Sequence, residues 1–339
     1  MSLSRSLLLT ALLSLGGFGS AASRNSSQGA YSLQDNYDSS SFFKGFDFFS
    51  AADPTNGFVK YHTAVDANAK SLAGYANNAI FLGSDSKVKT PAKPGRDSTR
   101  VVSKKSYTKG LFVADIAHAP ENSCGVWPAF WSVGPNWPNS GEIDIFEGVN
   151  SAKANTMTLH TGPGCSFKKQ GDCKGNQGCG ANATDTKSFG AGFNAIGGGS
   201  YAMEWTSQAI KVWFFPRTAA MPQDVAPGNP NPSTWPEPMI EFSGPGCDID
   251  SHFKDHQLVF NTAFCGDWAG KQEVWSQDPV CSKLAPTCEE YVSNNPDAFK
   301  NAYWLINSVK VFSQGGAANQ TGSYPTKRSG LIKSRHFRN

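Results

Sequence analysis

Apolar and polar positions alternate with a period of two in several stretches of this chain, and helical periodicity is scarce. Tyr201, Met203 and Trp205 alternate with Ala202 and Glu204. After the turn-like Thr206-Ser207-Gln208, the run Ala209 to Phe214 completes a predicted hairpin. Met157 and Leu159 are expected on a core face, with Thr158 and His160 on the opposite one. Leu258 and Phe260 alternate with Val259 and Asn261, and Tyr303 to Phe312 reads as a closing strand. Long segments rich in Gly, Pro and Asn lie between. Thr161 to Gly199 carries three cysteines, and Met221 to Pro238 is proline-rich. Loops of this length are functional or need staples, so both are expected to form the rim of a cleft. Many strands separated by Gly and Pro turns predict an all-β sandwich or jelly roll, with two curved antiparallel sheets, a convex back and a concave front.

The ends differ from the middle. Residues 1–22 read as a secretory signal peptide, with Arg5, a short apolar run from Leu7 to Leu15, and small residues at Ser20-Ala21-Ala22. The run is too short for a spanning helix, so a secreted, extracellular protein is expected. The eight cysteines, Cys124, Cys165, Cys173, Cys179, Cys247, Cys265, Cys281 and Cys288, favour disulfides in that compartment. Cys281 with Cys288 is a plausible local loop, although spacing alone does not fix the pairing. Sequons begin at Asn25, Asn182 and Asn319. The formal charge of +3 becomes about −3 once Arg5 and the five basic residues from Lys327 to Arg338 are set aside. A mildly acidic body argues against nucleic acid as partner. Residues 23–314 are expected to be one domain, and 315–339 a basic, disordered tail.

The chemistry concentrates in Gly141-Glu142-Ile143-Asp144-Ile145-Phe146-Glu147-Gly148. Three carboxylates in an otherwise apolar strand face a polar cleft, because burying an unpaired charge is costly. Glu142 and Asp144 share a face by alternation. Glu147 would point the other way in a regular strand. A β-bulge around Ile145-Phe146 would return it to the face of the other two, and the sequence predicts that bulge. Trp127, Phe130, Trp131 and Trp137 make the neighbourhood aromatic. Paired carboxylates flanking a bond are the apparatus of glycoside hydrolysis.

The stretches Gly125-Val126-Trp127-Pro128-Ala129-Phe130-Trp131 and Asn136 to Asn150 resemble the signature of glycoside hydrolase family 16, in its fungal laminarinase type, the endo-1,3(4)-β-glucanases. Pieces at Pro94 to Arg100, Met157 to Gly162, Ile210 to Arg217 and Thr262 to Gly270 match in the same order. The inserted Phe146 fits the laminarinase type, since lichenase-type members alternate strictly. The resemblance implies a concanavalin A-like jelly roll. It also implies Glu142 as nucleophile and Glu147 as general acid and then base in a retaining reaction on β-1,3 or mixed β-1,3/1,4 glucan. Asp144 is expected to hydrogen-bond Glu142. Arg96, Trp131, Trp137, His160 and Trp268 are the expected substrate contacts, with Arg100 and Asn150 as further candidates, while Trp127 and Trp213 are assigned to the core. No cofactor or metal is implied, and a monomer is expected. A wall-remodelling transglycosylase would use the same residues. A non-catalytic lectin on this fold would lack one of the acids.

Overall fold

The computed structural model describes residues 31–91, 93–226 and 228–315. The expected signal peptide, the tail from residue 316, and the sequons at Asn25 and Asn319 lie outside these residues.

Two antiparallel sheets face each other. The eight-stranded sheet runs Ile240–Ser243, Ala209–Pro216, Gly199–Trp205, Gly110–His118, Tyr303–Gln314, Ala79–Gly83 and Ala73–Ala76, and Tyr31–Asp38 also pairs with Tyr303–Gln314. The seven-stranded sheet runs Cys179–Asn182, Thr156–His160, Glu142–Glu147, Val126–Val133, Gln257–Phe264, Arg100–Ser103 and Phe46–Phe48. Neighbours in the sheets are often distant in sequence, as in the jelly roll that the strand-and-turn pattern predicted. The hairpin of Gly199–Trp205 and Ala209–Pro216 and the closing strand both form.

Alternation sorts the side chains. Phe112, Ala114, Ile116, Phe130, Ile143, Met157, Leu159, Tyr201, Met203, Phe260 and Trp304 fill the space between the sheets. Burying such side chains out of water is the main favourable contribution to folding. The other face of the eight-stranded sheet carries a smaller cluster, in which Leu111, Val113, Trp213 and Phe215 pack with Val225, Met221 and Trp235. This corrects the expectation for the proline-rich segment. It covers the back of the sandwich rather than the rim, because the apolar alternates of the Ala209–Pro216 strand need a cover there. Trp213 is buried as expected.

All eight cysteines are paired, as Cys124–Cys281, Cys165–Cys247, Cys173–Cys179 and Cys265–Cys288. The local pair Cys281–Cys288 does not form. Each of these two cysteines instead reaches a residue flanking the sheet, which fastens the helical segment 272–294 to the end of the sandwich. A third cluster gathers around these bridges, with Phe58, Tyr61, Val126, Phe264, Trp275, Val292 and Phe299. Among the described residues no helix is long and apolar enough to cross a membrane.

Candidate active site

The Glu142–Glu147 strand lies in the middle of the seven-stranded sheet, and its register slips where the sequence predicts a bulge. Against Val126–Val133, Asp144 pairs with Trp131 and Phe146 with Phe130. Against Thr156–His160, Asp144 pairs with Thr158 and Glu147 with Thr156. Ile145 and Phe146 are therefore consecutive residues that both enter the core, each fully buried. Phe146 sits among Phe189, Tyr201 and Trp304, with ring centroids 4.9, 5.4 and 5.2 Å away. Gly148 follows directly, where a Cβ would come within 2.7 Å of the Phe189 ring. Using up two core positions turns Glu147 back toward Glu142 and Asp144 on the outer face of the sheet.

The three carboxyls crowd one another. Atoms of Glu142, Asp144 and His160 lie within 4.8 Å of one another. Glu142 and Asp144 share a hydrogen bond, and the Trp137 indole also bonds Glu142. His160 Nδ1 is 2.8 Å from Gly175 O, which can only accept, so Nδ1 carries the proton. Its Nε2 then faces Asp144 Oδ2 at 3.3 Å. Glu147 Oε1 accepts from the Trp127 indole N–H at 2.7 Å.

Burial pushes the Glu142 carboxyl up to about 8, with the Asp144 charge adding to the rise. Asp144 is pushed up to about 7, mainly by burial. Glu147 is also raised, by burial first and the Asp144 charge second, while the Trp127 N–H pulls it down. Three negative charges cannot be held together in so little solvent, so the cluster retains protons near neutrality and titrates as a unit.

The expected substrate contacts separate into two groups. Trp131 lies on the carboxylate face, its indole bonded to Asn261 Oδ1 at 2.7 Å and its ring under the Arg100 guanidinium at 5.0 Å. Trp137 is 44% exposed at the entry to the acidic strand. Trp268 stands edge-on to Trp127 at 5.7 Å, and His160 is beside Asp144. Arg96 does not join them. It is fully buried, bonds Asp85 and the carbonyls of Val88 and Val292, and stacks on Phe299 at 4.6 Å. A guanidinium that is fully buried, with both terminal nitrogens already engaged, has nothing to offer a sugar, so Arg96 is a scaffold residue. Asn150 is likewise buried, tying Gly125 N to Ala269 O. Arg100 lies between Phe49 and Trp131, where it supports the tryptophan.

Trp127, assigned to the core from sequence, reaches the acidic face instead. The period-two pattern held the signal: Trp127 and Trp131 are four apart in one strand, so they share a face. Alternation likewise set Asn261 on the face opposite Leu258 and Phe260, whereas Asn155 had no such marker.

A jelly roll that carries three carboxyls on one open face, all on a single bulged strand among tryptophans, is the architecture of a glycoside hydrolase. The family profile described as the XgeA-like catalytic GH16 domain matches residues 46–312, and the chain belongs to glycoside hydrolase family 16. An endo-1,3(4)-β-glucanase of Arthroderma benhamiae is 44% identical over 340 residues, covering 95% of this chain and 70% of that protein. The chain spans only 41% to 49% of the length of further fungal relatives. Laminarinase 16A from Phanerochaete chrysosporium, solved with 6-O-glucosyl-laminaritriose in donor and acceptor sites, superposes with a TM-score of 0.79 at 41% identity, covering 84% of this chain and all of that one. An elongating family 16 β-1,3-glucosyltransferase gives 0.78 at 39% identity, with the same coverage of both chains.

Proposed function

We propose that this glycoside hydrolase is a secreted, retaining endo-hydrolase of β-1,3 and mixed β-1,3/1,4 glucans. The observation that carries the reading is the bulge, which brings Glu142 and Glu147 to one face with Asp144 between them. Support for the substrate class comes from relatives named as endo-1,3(4)-β-glucanases and from the glucan-bound laminarinase. The signal-like residues 1–22 and the four disulfides support secretion.

Glu142 attacks the anomeric carbon while protonated Glu147 donates to the leaving oxygen, and a glycosyl-enzyme ester forms on Glu142. Water then attacks that carbon with Glu147 as base, and the carboxylate leaves. Burial supplies the proton that Glu147 must hold at the start. The nucleophile must be charged. Glu142 and Asp144 share a hydrogen bond and burial raises both carboxyls, so the proton they hold in common can rest on Asp144. Asp144 thus takes up the proton when Glu142 attacks. The tryptophans offer ring faces to the apolar C–H faces of pyranose units.

Proton NMR of early laminarin hydrolysis tests the mechanism. The first product should be the β-anomer, and the α-anomer would overturn the retaining assignment. Product analysis on laminarin, lichenan and xyloglucan tests the substrate, with cleavage expected for the first two. The glucosyltransferase neighbour favours a second reading, transfer to another glucan. Products longer than the starting laminarin oligosaccharide would establish it.

A further inference from the structure

The bulge that makes the site possible leaves backbone groups without strand partners. On the side facing Thr156–His160, pairing stops at Asp144 and resumes at Glu147. A buried peptide group left unpaired is costly, so something must take the place of the missing rung. One side chain does so twice. Asn155 Nδ2 donates to Ile145 O at 2.8 Å, and its Oδ1 accepts from Glu147 N–H at 2.7 Å. A carboxamide presents a donor and an acceptor side by side, as a peptide unit does. Asn155 thus stands in for the absent strand residue.

The clamp is itself held. Asn155 is fully buried. Its backbone N–H donates to Ser188 Oγ at 3.0 Å, and its carbonyl accepts from Ala183 N–H at 2.7 Å. Ser188 Oγ donates in turn to Asp185 O at 2.6 Å, and Tyr201 Oη donates to Ser188 O. One of the two bonds made by Asn155 is to the peptide N–H of Glu147 itself, whereas neither touches Glu142.

We propose that Asn155 is a positioning residue for the acid/base catalyst, fixing Glu147 against the leaving oxygen without touching the sugar. The inference rests on the reading of Glu147 as acid/base. Removing the clamp should therefore impair proton donation selectively and spare nucleophilic attack.

Leaving-group dependence reads this selectivity. An aryl β-glucoside of a laminari-oligosaccharide with a dinitrophenolate leaving group needs no proton for the first step. N155A should lose about a hundredfold in kcat on laminarin, the scale of a misplacement of about 1 Å, with KM little changed. The dinitrophenolate burst rate should fall less than about fivefold, and the basic limb of the pH profile should shift. N155D keeps the acceptor for Glu147 N–H and loses the donor to Ile145 O. It serves where N155A does not fold, and its loss should be smaller but equally selective. Equal losses on both substrates in the folded variants, or no loss on either, would overturn the positioning role. E147A is measured alongside. A spared burst in E147A but not in the Asn155 variants sinks only the role of Asn155, whereas an unspared burst in E147A sinks the reading of Glu147.

Discussion

The indole N–H of Trp127 and the carboxyl of Glu147 meet at 2.7 Å, and this one bond sets a tryptophan directly on the group assigned to proton transfer. The bond favours the charged form of Glu147 against the burial that raises its pKa. Trp127→Phe keeps the ring and removes the donor. The Glu147 pKa should then rise by about one unit, the value of a hydrogen bond to a charged group. The basic limb of kcat/KM against pH on laminarin should move up with it. An unmoved limb would detach Trp127 from the proton-transfer group.

Stability should depend on the same cluster. The Glu142 carboxyl stands at about 8 when folded, above its ordinary 4.5, so the native state binds this proton more tightly than the unfolded chain does. That contribution is fully present below about pH 4.5 and is lost as pH rises through about 8. Glu142→Gln never ionises and so escapes the loss. At about pH 9 the variant should melt several degrees above the wild type, a gain on the order of a few kcal/mol, while near pH 5 the two should nearly coincide. Thermal melts across this range would show the trend, and a pH-independent difference would contradict it.

Arg96 offers a separation of stability from recognition. Arg96→Met removes the guanidinium from the Asp85 carboxylate and from the carbonyls of Val88 and Val292. A loss of about 2–4 kcal/mol is expected in urea unfolding, with KM for laminarin unchanged in the folded protein. A raised KM at unchanged stability would return Arg96 to the cleft.

The disulfides should be unequal. Cys124–Cys281 closes a separation of 157 residues, whereas Cys173–Cys179 closes one of 6. In the chain-entropy account the longer closure restricts the unfolded state more. Replacing both Cys124 and Cys281 by Ala should therefore lower the melting temperature more than the same change at Cys173 and Cys179. The reverse order would place the effect in the native state.

Much of the fold was legible in residue alternation, because a sheet with two different environments imposes a period of two on its strands. The bulge could be read for the same reason: three acids cannot share a face across Ile145-Phe146 unless one extra residue is taken inward. Roles that depend on partners distant in sequence were not legible. Arg96 stands in a motif that matches the family, yet its guanidinium is engaged by Asp85 and Val292, and only the fold brings the latter close. Trp127 was placed in the core by its apolar character, whereas its position in the strand assigned it to the other face. Asn155 carried no pattern at all, since a single carboxamide just ahead of a strand looks like many others. The proline-rich segment was misread because loop length reports a need for anchoring and not the face on which the anchor lies.

The side chain of Phe146 has a consequence for how this enzyme tolerates change. Its ring is wedged among Phe189, Tyr201 and Trp304, two of which belong to the opposite sheet. The direction in which the neighbouring Glu147 carboxyl is presented is therefore governed partly by rings buried in the interior. Trimming Trp304 would loosen a hinge pin beneath the reaction floor, so turnover in this fold answers to interior carpentry as much as to the groups that bind glucan.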